Sequence, residues 1–389
     1  MDVLYEYMHN QLDRVSNEFT RYQYERINWD ARMLALVGPR GVGKTTLFLQ
    51  RISRTHSDGS ALYVSADHLY FATHSLYETA DAFYKNNGKF LFIDEVHKYE
   101  NWSRELKNIY DAFPDMHVYF TGSSVLDIEK GESDLSRRAP RYVMQGLSFR
   151  EFLQIRHGIE APLLSLGEIL ANKASIPGVN HPLPLFREYL INGYYPFGSD
   201  PDFSTELRQV ITRTLEVDIP QFASMNMATG RKLLKLMAVI SELVPFKPVM
   251  SDLGKRIQVS RNNVEDYLLY MEKAGMIAQL RTTASGLGAL GKVEKLYLDN
   301  TNILYNLAGD NVDIGTVRET FFFNAMRVNE TVTQGPLADF CIGDAVFEVG
   351  GKSKTAAQLE GAENGYVVKD DIERGHAHVI PLWAFGLGY

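Results

Sequence analysis

Residues 38 to 46 read Gly38-Pro39-Arg40-Gly41-Val42-Gly43-Lys44-Thr45-Thr46 and match Gly-x-x-x-x-Gly-Lys-[Ser/Thr] at every fixed position. A polyphosphate needs a concave ring of backbone N–H groups, and glycines at 38, 41 and 43 permit the dihedrals that form one. Lys44 is placed to reach the β and γ phosphates of a nucleotide such as ATP, and the Thr45 hydroxyl to complete Mg²⁺ coordination. A second group of candidates, Asp94 and Glu95, closes the apolar run Phe90-Leu-Phe-Ile. Carboxylates at the C-terminal end of a buried strand stand where α/β sheets bind ligands. Asp94 is then the partner of Mg²⁺, directly or through water, and Glu95 the base that orients and deprotonates an attacking water. Thr121 and Ser123 would present hydroxyls to the γ-phosphate, although a polar turn after a strand has the same composition. Arg137, Arg138 and Arg141 offer a guanidinium for transition-state charge, in cis or from a neighbouring copy, and an ordinary exposed basic loop reads the same way.

These side chains need a parallel sheet behind them. Met33–Val37 is an apolar strand running into the glycines, and a helix opens at Thr45 with Leu47, Phe48 and Leu49 behind it. Ala61–Ser65, Phe90–Asp94 and His117–Thr121 follow as strands, the last lying between those that carry Lys44 and Asp94, with a short strand at Tyr142–Gln145. Uninterrupted apolar runs mark strands buried on both faces, so a five-stranded parallel sheet is expected. Residues 2–26 have helical spacing through Leu4, Tyr5, Met8 and Leu12, and this helix either packs on the sheet or lines an adenine pocket.

The totals set limits. At 389 residues, 45% apolar and 23% charged, the chain is long enough for two or three globular domains. Its net charge of −8 means that any nucleic-acid contact must come from a local patch. One cysteine, Cys341, excludes an internal disulfide, and neither a signal peptide nor an apolar run of about 18 residues is visible, so a cytoplasmic protein with no membrane partner is expected.

The segments Gly38–Thr45, Ile93-Asp-Glu-Val-His97, Thr121-Gly-Ser-Ser124 and Gly146-Leu-Ser-Phe-Arg-Glu-Phe152 together resemble the prokaryotic AAA-type ATPases fused to a C-terminal domain of unknown function. The resemblance implies ATP binding and hydrolysis by Lys44, Thr45, Asp94 and Glu95. The Gly-Arg pair of that family falls on Arg137-Arg138, so Arg138 matches and the glycine does not. On this reading residues 1–150 are the P-loop core and 151–229 a helical lid. A P-loop kinase, or a slow nucleotide-dependent switch that binds a protein partner, are the rival readings, and self-association is compatible with all of them.

From residue 230 the pattern changes to short helices at 232–243, 250–257 and 260–274, then strands at Met276–Leu280 and Lys295–Leu298. This resembles a winged helix over 230–300, in which Arg261, Asn262 and Asn263 would face a DNA major groove. Residues 231–300 carry eleven Lys and Arg against seven Asp and Glu, but over 251–275 the charges cancel. Since phosphate contacts dominate duplex affinity, DNA contact and protein interaction both stay open.

In the last segment, 301–389, Ala338–Ile342 and Ala345–Val349 flank the two-residue turn Gly343-Asp344. That register sets Asp339 opposite Glu348, about 5 Å apart on one face, where two carboxylates repel unless a metal or cation lies between them. Glu319, on a helix at 316–328, and Lys352 are placed to complete the cluster. The pattern resembles the PD-(D/E)xK nuclease core, with Gln358 on the following helix, but Gly350 stands where the motif has its lysine. A metal-dependent nuclease, a degenerate nuclease fold used for binding, and a structural salt-bridge cluster are all compatible with it.

Overall fold

A computed structural model describes the chain except residues 57, 123–134, 136, 224, 283–290, 336–337, 356–358 and 360–363; Ser123, Ser124 and Gln358 therefore lie outside the described residues. Two compact units divide at Gln145 and Gly146.

The first unit is built on a parallel sheet of β1 (Met33–Val37), β2 (Ala61–Ser65), β3 (Phe90–Asp94), β4 (His117–Gly122) and β5 (Arg141–Val143), in the order β2-β3-β4-β1-β5. All strand neighbours are parallel, as the apolar runs predict. Met33, Leu34, Leu36, Leu62, Phe92 and Ile93 have essentially no exposed surface, each contributing about 1.5–3 kcal/mol of burial. The helix Lys44–Thr55 follows β1, Leu76–Lys85 follows β2, and Trp102–Ala112 follows β3. Leu76–Lys85 starts with a reciprocal cap, Ser75 accepting from the Glu78 amide and Glu78 from the Ser75 amide.

The N-terminal helix ends at Leu12 rather than running to residue 26. Val15 is β-branched, and Ser16 and Asn17 favour local hydrogen bonding over helix; the Ser16 and Phe19 carbonyls instead accept from the Gln50 amide, at 2.8 and 2.7 Å. The helix covers the edge strand β2, whose Tyr63 N–H points at the Met8 sulfur, 3.2 Å away.

The second unit, Gly146–Tyr389, holds the remaining segments together. Helices Phe149–His157, Leu166–Leu170, Leu183–Asn192 and Phe203–Arg213 open it, the last running through a π-helical turn at Thr214–Asp218 into Ile219–Phe222. Pro220 has no N–H to donate, which accounts for a break in the ordinary ladder there. Met227–Leu243, Met250–Ile257 and Arg261–Lys273 come next, with antiparallel β6 (Ile277–Arg281) and β7 (Val293–Leu298). Helices Thr301–Ala308 and Ile314–Met326 lead to a sheet of β8 (Val332–Thr333), β9 (Phe340–Ile342), β10 (Ala345–Gly350), β11 (Gly365–Lys369) and β12 (Val379–Pro381). Its order is β12-β11-β10-β9-β8, with β10, β11 and β12 parallel and β9 antiparallel to both neighbours. Phe322 joins helix and sheet, its ring 5.0, 5.2 and 4.9 Å from those of Phe340, Phe347 and Phe385. No helix among the described residues is long and apolar enough to cross a membrane.

Candidate functional site

The turn after β1 has φ of +84° at Gly41 and +96° at Gly43, which the missing Cβ makes inexpensive. Gly38 is small for another reason: a Cβ there would lie 2.1 Å from the Met144 carbonyl oxygen. Val42 and Pro39 are buried, Arg40 is half-buried, and Gly41 and Thr46 are exposed. Arg21, itself buried, donates to the Val42 carbonyl and, at 2.8 Å, to the Gln145 carbonyl. It thus ties the loop to the end of the β5 segment. Nothing in the spacing of residues 2–26 marks Arg21 out; its clamp role becomes visible only in three dimensions.

Lys44 is 7% exposed, and its Nζ donates to the Gly38 and Pro39 carbonyls at 2.9 and 2.8 Å. Burial pulls its ammonium down to about 8, partly offset by Asp94 and Glu95. An anion binds the protonated form, so nucleotide affinity should stay flat below that value. Above it, binding must take up a proton, and affinity should fall by up to about tenfold per pH unit. ADP titrations at pH 7, 8 and 9 check this; a flat profile would mean that Lys44 does not meet the phosphates.

Asp94 ends β3, is 4% exposed and lies against three hydroxyls. Its Oδ2 accepts from Thr45 Oγ1 at 2.6 Å and from the Tyr63 hydroxyl at 2.9 Å; its Oδ1 accepts from Thr121 Oγ1 and, at 3.2 Å, from the Glu95 amide. Thr121 is therefore turned to the carboxylate rather than to a phosphate, because β4 pairs directly with β3. Thr45 gives its hydrogen to Asp94 and so keeps its lone pairs for a cation. Thr45 and Asp94 fit a Mg²⁺ whose other ligands are phosphate and water. Among the described residues no group of three or more His, Cys, Asp or Glu is arranged to hold a metal by itself.

Glu95 adopts a left-handed conformation, φ +50° and ψ +44°. A non-glycine residue held there costs about 1–3 kcal/mol, and such strain is common at functional sites. Its amide donates to Thr121 Oγ1 at 3.1 Å, and its carboxylate lies 3.9 Å from Arg40. Burial raises its proton affinity above the usual carboxylate range, with Arg40 opposing and Asp94 reinforcing the shift.

Arg138 is not brought to this site. It donates to Asp111 at 3.2–3.3 Å and lies over the Tyr110 ring. Asp111 is near the end of the helix that feeds β4, and Arg138 precedes β5, so both lie at the N-terminal edge of a parallel sheet. The phosphate loop leaves the opposite edge. The sequence leaves cis and trans open, and this position is away from the glycine loop of its own chain; Arg137 is exposed, and Arg141 pairs with Ala35 within the sheet.

In the second unit the hairpin register is as expected, Ile342 opposite Ala345 and Phe340 opposite Phe347. Asp339 accepts from the Val349 amide at 3.0 Å. Lys352, exposed, is not the cluster lysine; Lys354 is, 2.5 Å from Glu348 and 4.0 Å from Asp339. The chain turns at residues 352–353 and brings the Lys354 stem back over Gly350, where any Cβ would sit 2.8 Å from it. Lys295 bridges Glu319 at 3.1 Å and Asp339 at 3.4 Å, and the Tyr297 hydroxyl donates to Glu319 at 2.6 Å. Two ammonium groups thus stand among three carboxylates, where the sequence left room for a second metal.

The Glu348 side chain is 3% exposed, so Lys354→Met should destabilise the unit by roughly 3–5 kcal/mol. Burial already raises the proton affinity of Glu348, and losing Lys354 raises it further. Protonation removes the uncompensated charge, so the penalty should shrink from pH 8 to pH 5. Denaturant melts at both values check it; an equal penalty would place the loss in packing.

Residues 30–153 match the family described as AAA domain, and residues 183–313 the family described as Domain of unknown function (DUF8612). No curated protein matches the chain. Among solved structures, the Walker-type ATPase PABY2304 of Pyrococcus abyssi is 12% identical with a TM-score of 0.47, over 74% of this chain and 95% of that one. The Hsp104–ADP complex of S. cerevisiae is 16% identical with a TM-score of 0.32, over 68% of this chain and 41% of that one. PCH-2 of C. elegans is 16% identical with a TM-score of 0.24, over 69% and 68%. The segment 30–153, about a third of the chain, is thus similar to the AAA domains.

Proposed function

We propose that the first unit binds ATP with Mg²⁺ and hydrolyses it with water, and that the second unit is the effector whose state the nucleotide controls. The observation that carries this reading is the 2.6 Å hydrogen bond from Thr45 to Asp94, which joins the phosphate loop to the acidic strand end. The loop amides from Gly38 to Thr46, with Lys44, would cradle the phosphates; Thr45 and Asp94 would hold the metal. When bound, Mg²⁺ would neutralise charge on the β and γ oxygens. Glu95 would take the proton of the attacking water, a task suited by its raised proton affinity. Arg138, at the far edge of its own sheet, is better placed to serve a neighbouring copy of this chain than its own nucleotide.

The order of three helices followed by the β6–β7 arm supports a winged helix over 230–300. The mixed sheet with helix Ile314–Met326 against it supports a degenerate nuclease-like fold over 301–389. Ion pairs favour the switch reading, with a protein partner, over a DNA-cleaving one. Arg261 is matched by Glu265 at 2.9 Å, Arg281 by Glu272 at 2.7 Å, and Lys295 and Lys354 stand among the would-be metal ligands. Steady-state phosphate release, with and without duplex DNA, tests the whole. Mg²⁺-dependent release that DNA leaves unchanged is expected; absence of release would end the hydrolase reading, and strong stimulation by DNA would end the switch reading.

A further inference from the structure

The geometry points to Tyr63 as a positioning residue for the metal-holding carboxylate: its hydroxyl fixes Asp94 so that Oδ2 faces Thr45 and the bound cation. This inference rests on the nucleotide reading above and extends it to a residue on the edge strand.

Four donors surround the two oxygens of Asp94 and together set the orientation of its carboxylate. Thr45 and Tyr63 share Oδ2, while Thr121 and the Glu95 amide share Oδ1. Three of these donors belong to the site itself or to the central strand next to it. Tyr63 does not; it comes from β2, where the register places it beside Phe92 and places Ser65 beside Asp94. Its side chain therefore reaches Asp94 along the same face of the sheet, from two residue pairs below. There it is 1% exposed, and no water competes for its hydroxyl.

The phenol donates to the carboxylate in this setting, its hydroxyl hydrogen directed to Asp94 Oδ2 at 2.9 Å. A permanent buried donor favours the ionised carboxylate and a single rotamer of it. The ring is itself held, with Tyr7 of the N-terminal helix stacked on it at 6.1 Å and 15° and the Met8 sulfur against its backbone amide. The N-terminal helix thus braces the donor that braces the metal ligand.

Tyr63→Phe keeps the ring and removes the hydroxyl. The test is calorimetric titration of ADP into purified full chain, with Mg²⁺ and with EDTA, next to a thermal melt. The expected result is ADP affinity within about twofold of wild type in EDTA, a melt close to wild type, and at least a fivefold smaller gain in affinity on adding Mg²⁺. Asp94→Asn supplies a second variant: it should lose the Mg²⁺ gain, and adding Tyr63→Phe to it should change nothing further. An undiminished Mg²⁺ gain in Tyr63→Phe would overturn the assignment, as would equal losses with and without metal, which a packing role alone predicts. A wild type with no Mg²⁺ gain would instead sink the nucleotide reading itself, so the two failures are distinguishable.

Discussion

Lys44→Ala will reduce ATP affinity by roughly one to two orders of magnitude and abolish turnover. The ammonium is buried and already held by its own loop, through the Gly38 and Pro39 carbonyls, so little side-chain freedom is lost on meeting a phosphate. Two of its three hydrogens go to those carbonyls, and a hydrogen bond from the third, charged donor to phosphate is worth about 1.5–3 kcal/mol. At about 1.4 kcal/mol per decade, that is the range given. The alanine cannot repel the phosphates, so what is lost is attraction alone. Calorimetry with a non-hydrolysable ATP analogue, checked by a melt to show that the variant is folded, measures it. Affinity within threefold of wild type would remove Lys44 from the site.

Glu95→Gln will separate binding from chemistry. The amide is isosteric and tolerates the same left-handed backbone, so the strain at φ +50° is unchanged and the Glu95 amide still donates to Thr121. Affinity for ATP should remain within a few-fold of wild type. A glutamine cannot accept a proton from water, however, and kcat should fall by about 10² to 10⁴. The pH profile adds a second readout. In wild type the carboxylate must be ionised to act, and burial raises its proton affinity, so kcat should decline as pH falls through that raised value. The residual rate of Glu95→Gln should lack this limb. Equal losses in binding and turnover would make Glu95 a structural residue that shapes the loop with Arg40.

Much of this site was legible before any fold was known, because its logic is local. A strand, a glycine turn and a helix N-terminus are consecutive in sequence, and β3 announces its own end with two carboxylates. Strand pairing was legible in part: four apolar runs in alternation with helices imply a parallel sheet, and the Gly343-Asp344 turn dictates the register of β9 and β10. The donors around Asp94 were not legible. Tyr63 and Thr121 reach it across neighbouring strands, and nothing in a linear pattern says which hydroxyl of β2 or β4 lies level with the end of β3. For Arg138 motif spacing left cis and trans open, and its pairing with Asp111, at the edge of the sheet away from the glycine loop, became visible only in three dimensions. Lys354 displaced Lys352 because Gly350 leaves space for a lysine stem to fold back, a consequence of a missing side chain rather than of a present one.

The most direct measurement is calorimetric titration of the full chain with a non-hydrolysable ATP analogue in Mg²⁺, alongside Lys44→Ala. Saturable heat at one site per chain in wild type, lost in the variant, is the result predicted by a loop closed around Lys44 and joined to Asp94 through Thr45. No heat in wild type, or the same heat in both proteins, would contradict it.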